Sequence, residues 1–183
     1  MSYTIKSKLI VLALSITSSF CFGQQNRSAI CRLGELTNDS LLPYIQSLEL
    51  DCNKDIKTFV DKSEQLTSLK QLQLNGDANP SDWEVLFEKI KVQTKIKTVV
   101  FNKNTSTSLP YKYEGLFNIE NLSFTNTDEL DYTALIEQLL SLPNIRELNL
   151  EVVTIFELPT QIEKLKNLNG KYTSHNKLKG RKS

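Results

Sequence analysis

From residue 45 onward, apolar and polar positions follow a frame that keeps returning. Position 1 is apolar, positions 4 and 6 are apolar about a polar position 5, and position 9 is often polar. Ile45, Leu48, Leu50 and Asn53 open the series. Leu69, Leu72, Leu74 and Asp77 follow, then Ile96, Val99, Phe101 and Asn104, then Ile119, Leu122, Phe124 and Thr127, then Ile145, Leu148, Leu150 and Val153. The last set is Leu168, Lys171, Thr173 and Asn176, with Leu178 closing the pattern. Alternation with period two predicts a short strand with one buried face at each pass. Such strands need neighbours, and parallel stacking completes their hydrogen-bond ladders and joins their apolar faces. At position 9 the chain turns, and an amide side chain can satisfy the turn's backbone. Asn53, Asn104 and Asn176 suit that task, Asp77 and Thr127 suit it less well, and Val153 cannot perform it.

The connecting segments differ. Ser81 to Ile90 reads as a helix, with Pro80 and Ser81 as its start and Glu84 placed for a capping box. Trp83 and Phe87 lie one turn apart on it, a spacing for packing. Asp131 to Leu140 reads as a second helix, with Leu135, Ile136, Leu139 and Leu140 as its buried stripe and Pro143 beyond it. Asn102 to Glu114, rich in Thr and Ser, suits an extended or 3-10 connection. Residues 24–44 carry Ile30, Leu33, Leu36, Leu41 and Leu42 between polar positions, as a cap over the first strand would.

The frame starts at residues 45, 69, 96, 119, 145 and 168, with separations of 24, 27, 23, 26 and 23. This spacing, with the stretch IRELNLEVVTIFELPTQIEKLKNL from Ile145 to Leu168, resembles the leucine-rich repeat family, whose period is ~20–29 residues. The resemblance covers residues 45–178. It implies an α/β solenoid of about six repeats, with a curved parallel sheet on the concave side and short helices and loops on the convex side. It also implies a non-enzymatic module that binds a protein, peptide or glycan on the concave face. LPTQIEKLKNL resembles the repeats that carry only a brief helical turn.

The N-terminus changes the picture of location. Lys6 and Lys8 precede the apolar run 9–16, and small residues lead to Gly23, as in a secretory signal peptide over residues 1–23. The run is too short to span a membrane. The expected location is therefore secreted, periplasmic or at the cell surface, with no transmembrane segment in the mature chain. Phe20 and Ser18 argue against lipid attachment at Cys21. Removing the leader takes two of 22 basic residues and leaves 20 against 21 acidic, a formal charge of −1. No global field then favours nucleic acid. Cys31 and Cys52 remain, and an exported chain allows a disulfide between them. Two separate buried thiols are the alternative.

Candidate chemistry is sparse. His175 is the one histidine and has no acid beside it in sequence, so a catalytic triad or a histidine metal site lacks parts. No CxxC, GxGxxG or GxxxxGK[ST] occurs, and no cofactor is expected. The basic tail at residues 179–183 suits a solvated terminus. What remains is the outward face of the strands. Its candidate binding residues are Glu49, Gln71, Gln73, Thr98, Val100, Asn121, Ser123, Glu147, Asn149 and Tyr172. They offer many directional hydrogen bonds and little apolar area. The rival expectation is a structural protein: Lys171 and Thr173 spoil the last frame, and the uncapped C-terminal edge would pair with another chain.

Overall fold

The computed structural model describes residues 30–105, 109, 113–127, 130–151 and 160–168. The leader, Val153, Tyr172, His175, Asn176 and the basic tail lie outside them, as does the sixth strand expected around Lys171 and Thr173. The architecture is α/β. Among the described residues, six parallel strands form one sheet in sequential order: β1 (Cys31–Arg32), β2 (Ser47–Asp51), β3 (Gln71–Asn75), β4 (Thr98–Asn102), β5 (Asn121–Thr125) and β6 (Glu147–Glu151). Their connections include the helices α1 (Ile56–Lys62), α2 (Pro80–Val92) and α3 (Tyr132–Leu139). Among the described residues, no helix is long and apolar enough to cross a membrane.

The register holds from strand to strand. Ser47 pairs with Gln71, Gln71 with Thr98, Thr98 with Asn121 and Asn121 with Glu147. Equivalent residues therefore stand in columns across the sheet. Leu48, Leu72, Val99, Leu122 and Leu148 form one buried column, and Leu50, Leu74, Phe101, Phe124 and Leu150 form another. Phe101 and Phe124 stack with ring centroids 5.1 Å apart, and Trp83 of α2 lies 6.0 Å from Phe101 and 5.5 Å from Phe87. Phe59, Leu86, Ile90, Leu135 and Leu139 join the same core from the helices. Burying each such side chain contributes roughly 1.5–3 kcal/mol before entropy is counted.

Two sets of backbone and side-chain bonds fasten one pass of the chain to the next. Beyond each strand, Cys52 N donates to Asn75 O at 2.9 Å, Gly76 N to Asn102 O at 2.9 Å and Lys103 N to Thr125 O at 3.0 Å. At the opposite end, Asn118 Nδ2 donates to Lys91 O at 2.9 Å, Asn144 Nδ2 to Phe117 O at 2.6 Å and Asn167 Nδ2 to Pro143 O at 3.1 Å. Each of these asparagines immediately precedes an apolar position 1. The apolar frame alone does not predict this second asparagine series.

Several local expectations need correction. The N-terminal segment is more than a cap, because Cys31–Arg32 pairs with Leu48–Glu49 as the first strand. The N-cap of α2 is Asn79, not Ser81: its side chain accepts from Asp82 N at 2.9 Å, and Pro80 takes the first helical position. Helix α1 has no counterpart among the elements expected from the sequence. It buries only Ile56 and Phe59 and contains β-branched Thr58 and Val60, so packing rather than propensity holds it. Leu140 is exposed and does not belong to the buried stripe of α3. Tyr113–Leu116 is the 3-10 turn at the end of the polar connection, and Thr160–Lys164 is the brief turn expected of LPTQIEKLKNL.

Position 9 fulfils the expected role at Asn104 but not at Asn53, which is exposed and whose backbone N–H donates to Asp51 Oδ1 at 3.0 Å. Asn104 is buried and donates to Gly76 O at 3.3 Å. Asp77 works in the other direction, accepting from Thr105 N at 3.0 Å and Thr105 Oγ1 at 2.5 Å. The Thr127 hydroxyl is buried and has no hydrogen-bond partner among the described residues.

Candidate functional site

Parallel sheets usually have both faces covered. Here the second face carries three columns that are polar except at Val100. Ser47, Gln71, Thr98, Asn121 and Glu147 form the first. Glu49, Gln73, Val100, Ser123 and Asn149 form the second, and Asp51, Asn75, Asn102, Thr125 and Glu151 the third. Nine of the ten expected site residues therefore lie together on one face, and Tyr172 is the one outside the described residues. Most are half-buried by their neighbours, whereas Ser47 is buried and Glu147 exposed.

The third column, which is not among the expected site residues, is the most tightly bonded. Thr125 Oγ1 donates to Asn102 Oδ1 at 3.0 Å, and Asn102 Nδ2 donates to Asn75 Oδ1 at 2.8 Å. Asn75 Nδ2 then donates to Glu49 Oε1 at 2.5 Å. Arg32 Nε reaches the same oxygen at 3.3 Å. The polar ladder thus crosses five strands and ends on a carboxylate braced by a guanidinium. Gln73 Nε2 adds a second bond to Asn75 Oδ1 at 3.1 Å, and Asn126 Nδ2 a second to Asn102 Oδ1 at 2.9 Å. A carbonyl oxygen has two lone pairs, so both amide oxygens are fully used.

The other columns are more loosely linked. Asn149 Nδ2 donates to Ser123 Oγ at 3.3 Å. Asn121 lies 3.3 Å from Thr98 Oγ1; with its amide nitrogen turned toward Glu147 Oε2, also 3.3 Å away, its oxygen accepts from that hydroxyl. These amides and hydroxyls are the groups a ligand could engage, while the third column holds the strands in register. A column of short polar residues at position 7 was the available sequence signal for the ladder.

Charge at the β2 end is locally balanced. Glu35 and then Glu49 hold the Arg32 guanidinium above its ordinary value. Lys54, followed by the Asn53 N–H, holds the Asp51 carboxyl below its ordinary value. Cys52, directly after β2, is buried, and that burial, reinforced by Asp51, Asp77 and Asp55, pushes its thiol up to about 12. Cys31 and Cys52 are both buried thiols in the structure. The register explains why they do not form the disulfide that an exported chain allows. Cys31 pairs with Leu48, four residues before Cys52, which places the two Cα atoms roughly 13 Å apart along the strand direction. A bridge requires less than about 7 Å.

Among the described residues, no group of three or more His, Cys, Asp or Glu side chains could hold a metal ion. Ser123 is held by an amide donor rather than by a base. The face offers amide, hydroxyl and carboxylate groups for directional hydrogen bonds. Comparison with protein-family models and with curated proteins finds no match.

Proposed function

We propose that the chain is an exported, non-enzymatic leucine-rich repeat protein. Its open sheet face binds a protein segment, peptide or glycan. The single observation that carries this reading is the register. Residues separated by 23–27 positions stand side by side across β2–β6, apolar on one face and polar on the other. That separation lies within the ~20–29-residue period of the family. Asn102, Asn118, Asn144 and Asn167 support the same reading, because each bonds one pass of the chain to its neighbour. The face has few apolar anchors, Val100 being one, so affinity is expected to be modest and specificity to come from directional hydrogen bonds. Export rests on the leader pattern of residues 1–23.

An array of extended peptides and cell-envelope glycans, probed with wild type and with Gln73→Ala/Ser123→Ala/Asn149→Ala, tests the proposal. Signals that the triple variant loses, with an unchanged melting temperature, support it. Equal signals for both proteins contradict it.

A second reading draws on Lys171 and Thr173, outside the described residues, which put polar side chains where the repeat frame calls for apolar ones and leave an uncapped C-terminal edge. An open edge is a template for another strand. The protein would then self-associate through its C-terminal edge, and light scattering would show mass rising with concentration. A constant monomer mass contradicts that reading.

A further inference from the structure

Asn75 is followed by Gly76, and this pair stands at the centre of the polar ladder. We propose that Asn75–Gly76 is a latent deamidation site, held unreactive by the polar ladder that Asn75 itself completes. The reaction needs no cofactor. The Gly76 backbone nitrogen attacks Asn75 Cγ, and the bond from Cγ to Nδ2 breaks. Ammonia leaves with the proton given up by the Gly76 nitrogen, and a five-membered succinimide remains. Water then opens the ring at either carbonyl, giving an aspartate at that position or its β-linked isomer. Nothing is oxidised or reduced; one amide and one water become one carboxylic acid and one ammonia.

Each participant is restrained in the folded protein. The attacking nitrogen donates to Asn102 O at 2.9 Å. The leaving nitrogen donates to Glu49 Oε1 at 2.5 Å. The carbonyl oxygen accepts from Asn102 Nδ2 at 2.8 Å and Gln73 Nε2 at 3.1 Å. Asn75 ends β3, so its backbone is also fixed by both neighbouring strands. Cyclisation requires these bonds to open, and its rate follows the population of locally opened sheet.

The fold also explains why a glycine stands at this reactive place. Gly76 has φ +73°, in the left-handed region where a side chain is disfavoured. Asn126 occupies the matching place after β5 with φ 54°. Asparagine is therefore compatible with the conformation, and Gly76→Asn removes the unhindered nitrogen while retaining the turn.

The product reverses the chemistry of the ladder. A carboxylate at residue 75 has no N–H to give Glu49 and sets a like charge against it. The side-chain bond from residue 75 to Glu49 is lost, so a single opening event is converted into a permanent change of the face.

Peptide mapping of the full-length chain at mildly alkaline pH tests the proposal, following the one-dalton mass gain and isomerisation at residue 75. The other Asn-Gly pair, 169–170, is read on a separate tryptic peptide. In the folded wild type, residue 75 should react at least about tenfold more slowly than in denaturant. Asn102→Ala should accelerate it in the folded state. Should that variant prove unfolded by circular dichroism, Gln73→Ala, which removes one donor to Asn75 Oδ1, takes its place. Gly76→Asn should suppress the reaction in denaturant. Equal rates in folded and denatured wild type would overturn the proposal. So would a folded ladder variant that reacts no faster than wild type, or undiminished reaction in Gly76→Asn.

Discussion

Asn102 donates its side-chain amide to Asn75 Oδ1 at 2.8 Å across β4 and β3, and its own oxygen accepts from Thr125 and Asn126. One side chain thereby connects three strands and the turn after the last of them. Asn102→Ala would strand partners on both sides, so it is expected to destabilise by about 1–3 kcal/mol. Gln71→Ala, in the first column, should change stability by less than about 0.5 kcal/mol. Urea unfolding of the two variants, compared by midpoint at constant slope, checks the contrast.

Lys103 has φ 54° where Gly76 and Asn126 occupy the same place in neighbouring turns. A lysine held there costs energy that glycine or asparagine does not incur. Lys103→Asn and Lys103→Gly should each stabilise by roughly 0.5–1 kcal/mol. A thermal melt that falls instead of rising would contradict this account of the turn.

Gly115 lies against α2 so closely that an added Cβ would sit 2.3 Å from Phe87 O and 2.6 Å from Phe87 Cβ. Backbone cannot yield as a flexible side chain would. Gly115→Ala is expected to destabilise by about 1–3 kcal/mol through overpacking, measurable as a lower urea midpoint.

Thr127 presents a buried hydroxyl that finds no partner among the described residues. Thr127→Val keeps the branched shape and removes the unsatisfied group. A gain of about 1 kcal/mol follows from the ordinary cost of such burial, and a loss in the chemical melt would show that the hydroxyl is bonded after all.

The Cys52 thiol gives a pH dependence with a definite sign. Its ordinary value is 9.0 and burial raises it to about 12 in the folded protein. Between those values the unfolded chain releases the proton that the native state keeps, so unfolding is favoured as pH rises. The stabilisation is complete below about 9 and is lost progressively toward about 12, with a slope of up to about 1.4 kcal/mol per pH unit. Cys52→Ala should flatten that limb relative to wild type. Alkylation of Cys52 at neutral pH should require unfolding.

Much of the sheet could be read from the chain because alternation reports directly on a strand with one buried face. Leu48 and Leu50, or Leu148 and Leu150, need no further context. The two residues of β1 are too few to alternate, and α1 follows from packing of Ile56 and Phe59 rather than from a periodic stripe. Pro80 does mark the start of α2, yet the cap is the residue before it, as a proline at the first helical position requires. Columns of candidate site residues were legible from spacing alone. Which column is bonded into a ladder was not, because that depends on side-chain reach between strands ~4.8 Å apart. Asn75 and Asn102 meet that distance. Val100, beside Ser123 in the second column, has no side-chain donor or acceptor and so interrupts that column.

The central claim is that the polar sheet face is the surface that meets a ligand. The most direct measurement is quantitative capture from the native envelope on immobilised wild type and on Gln73→Ala/Ser123→Ala/Asn149→Ala, with matched melting temperatures. The account predicts a defined component retained by wild type and lost by the triple variant. Identical retention on both proteins would contradict it.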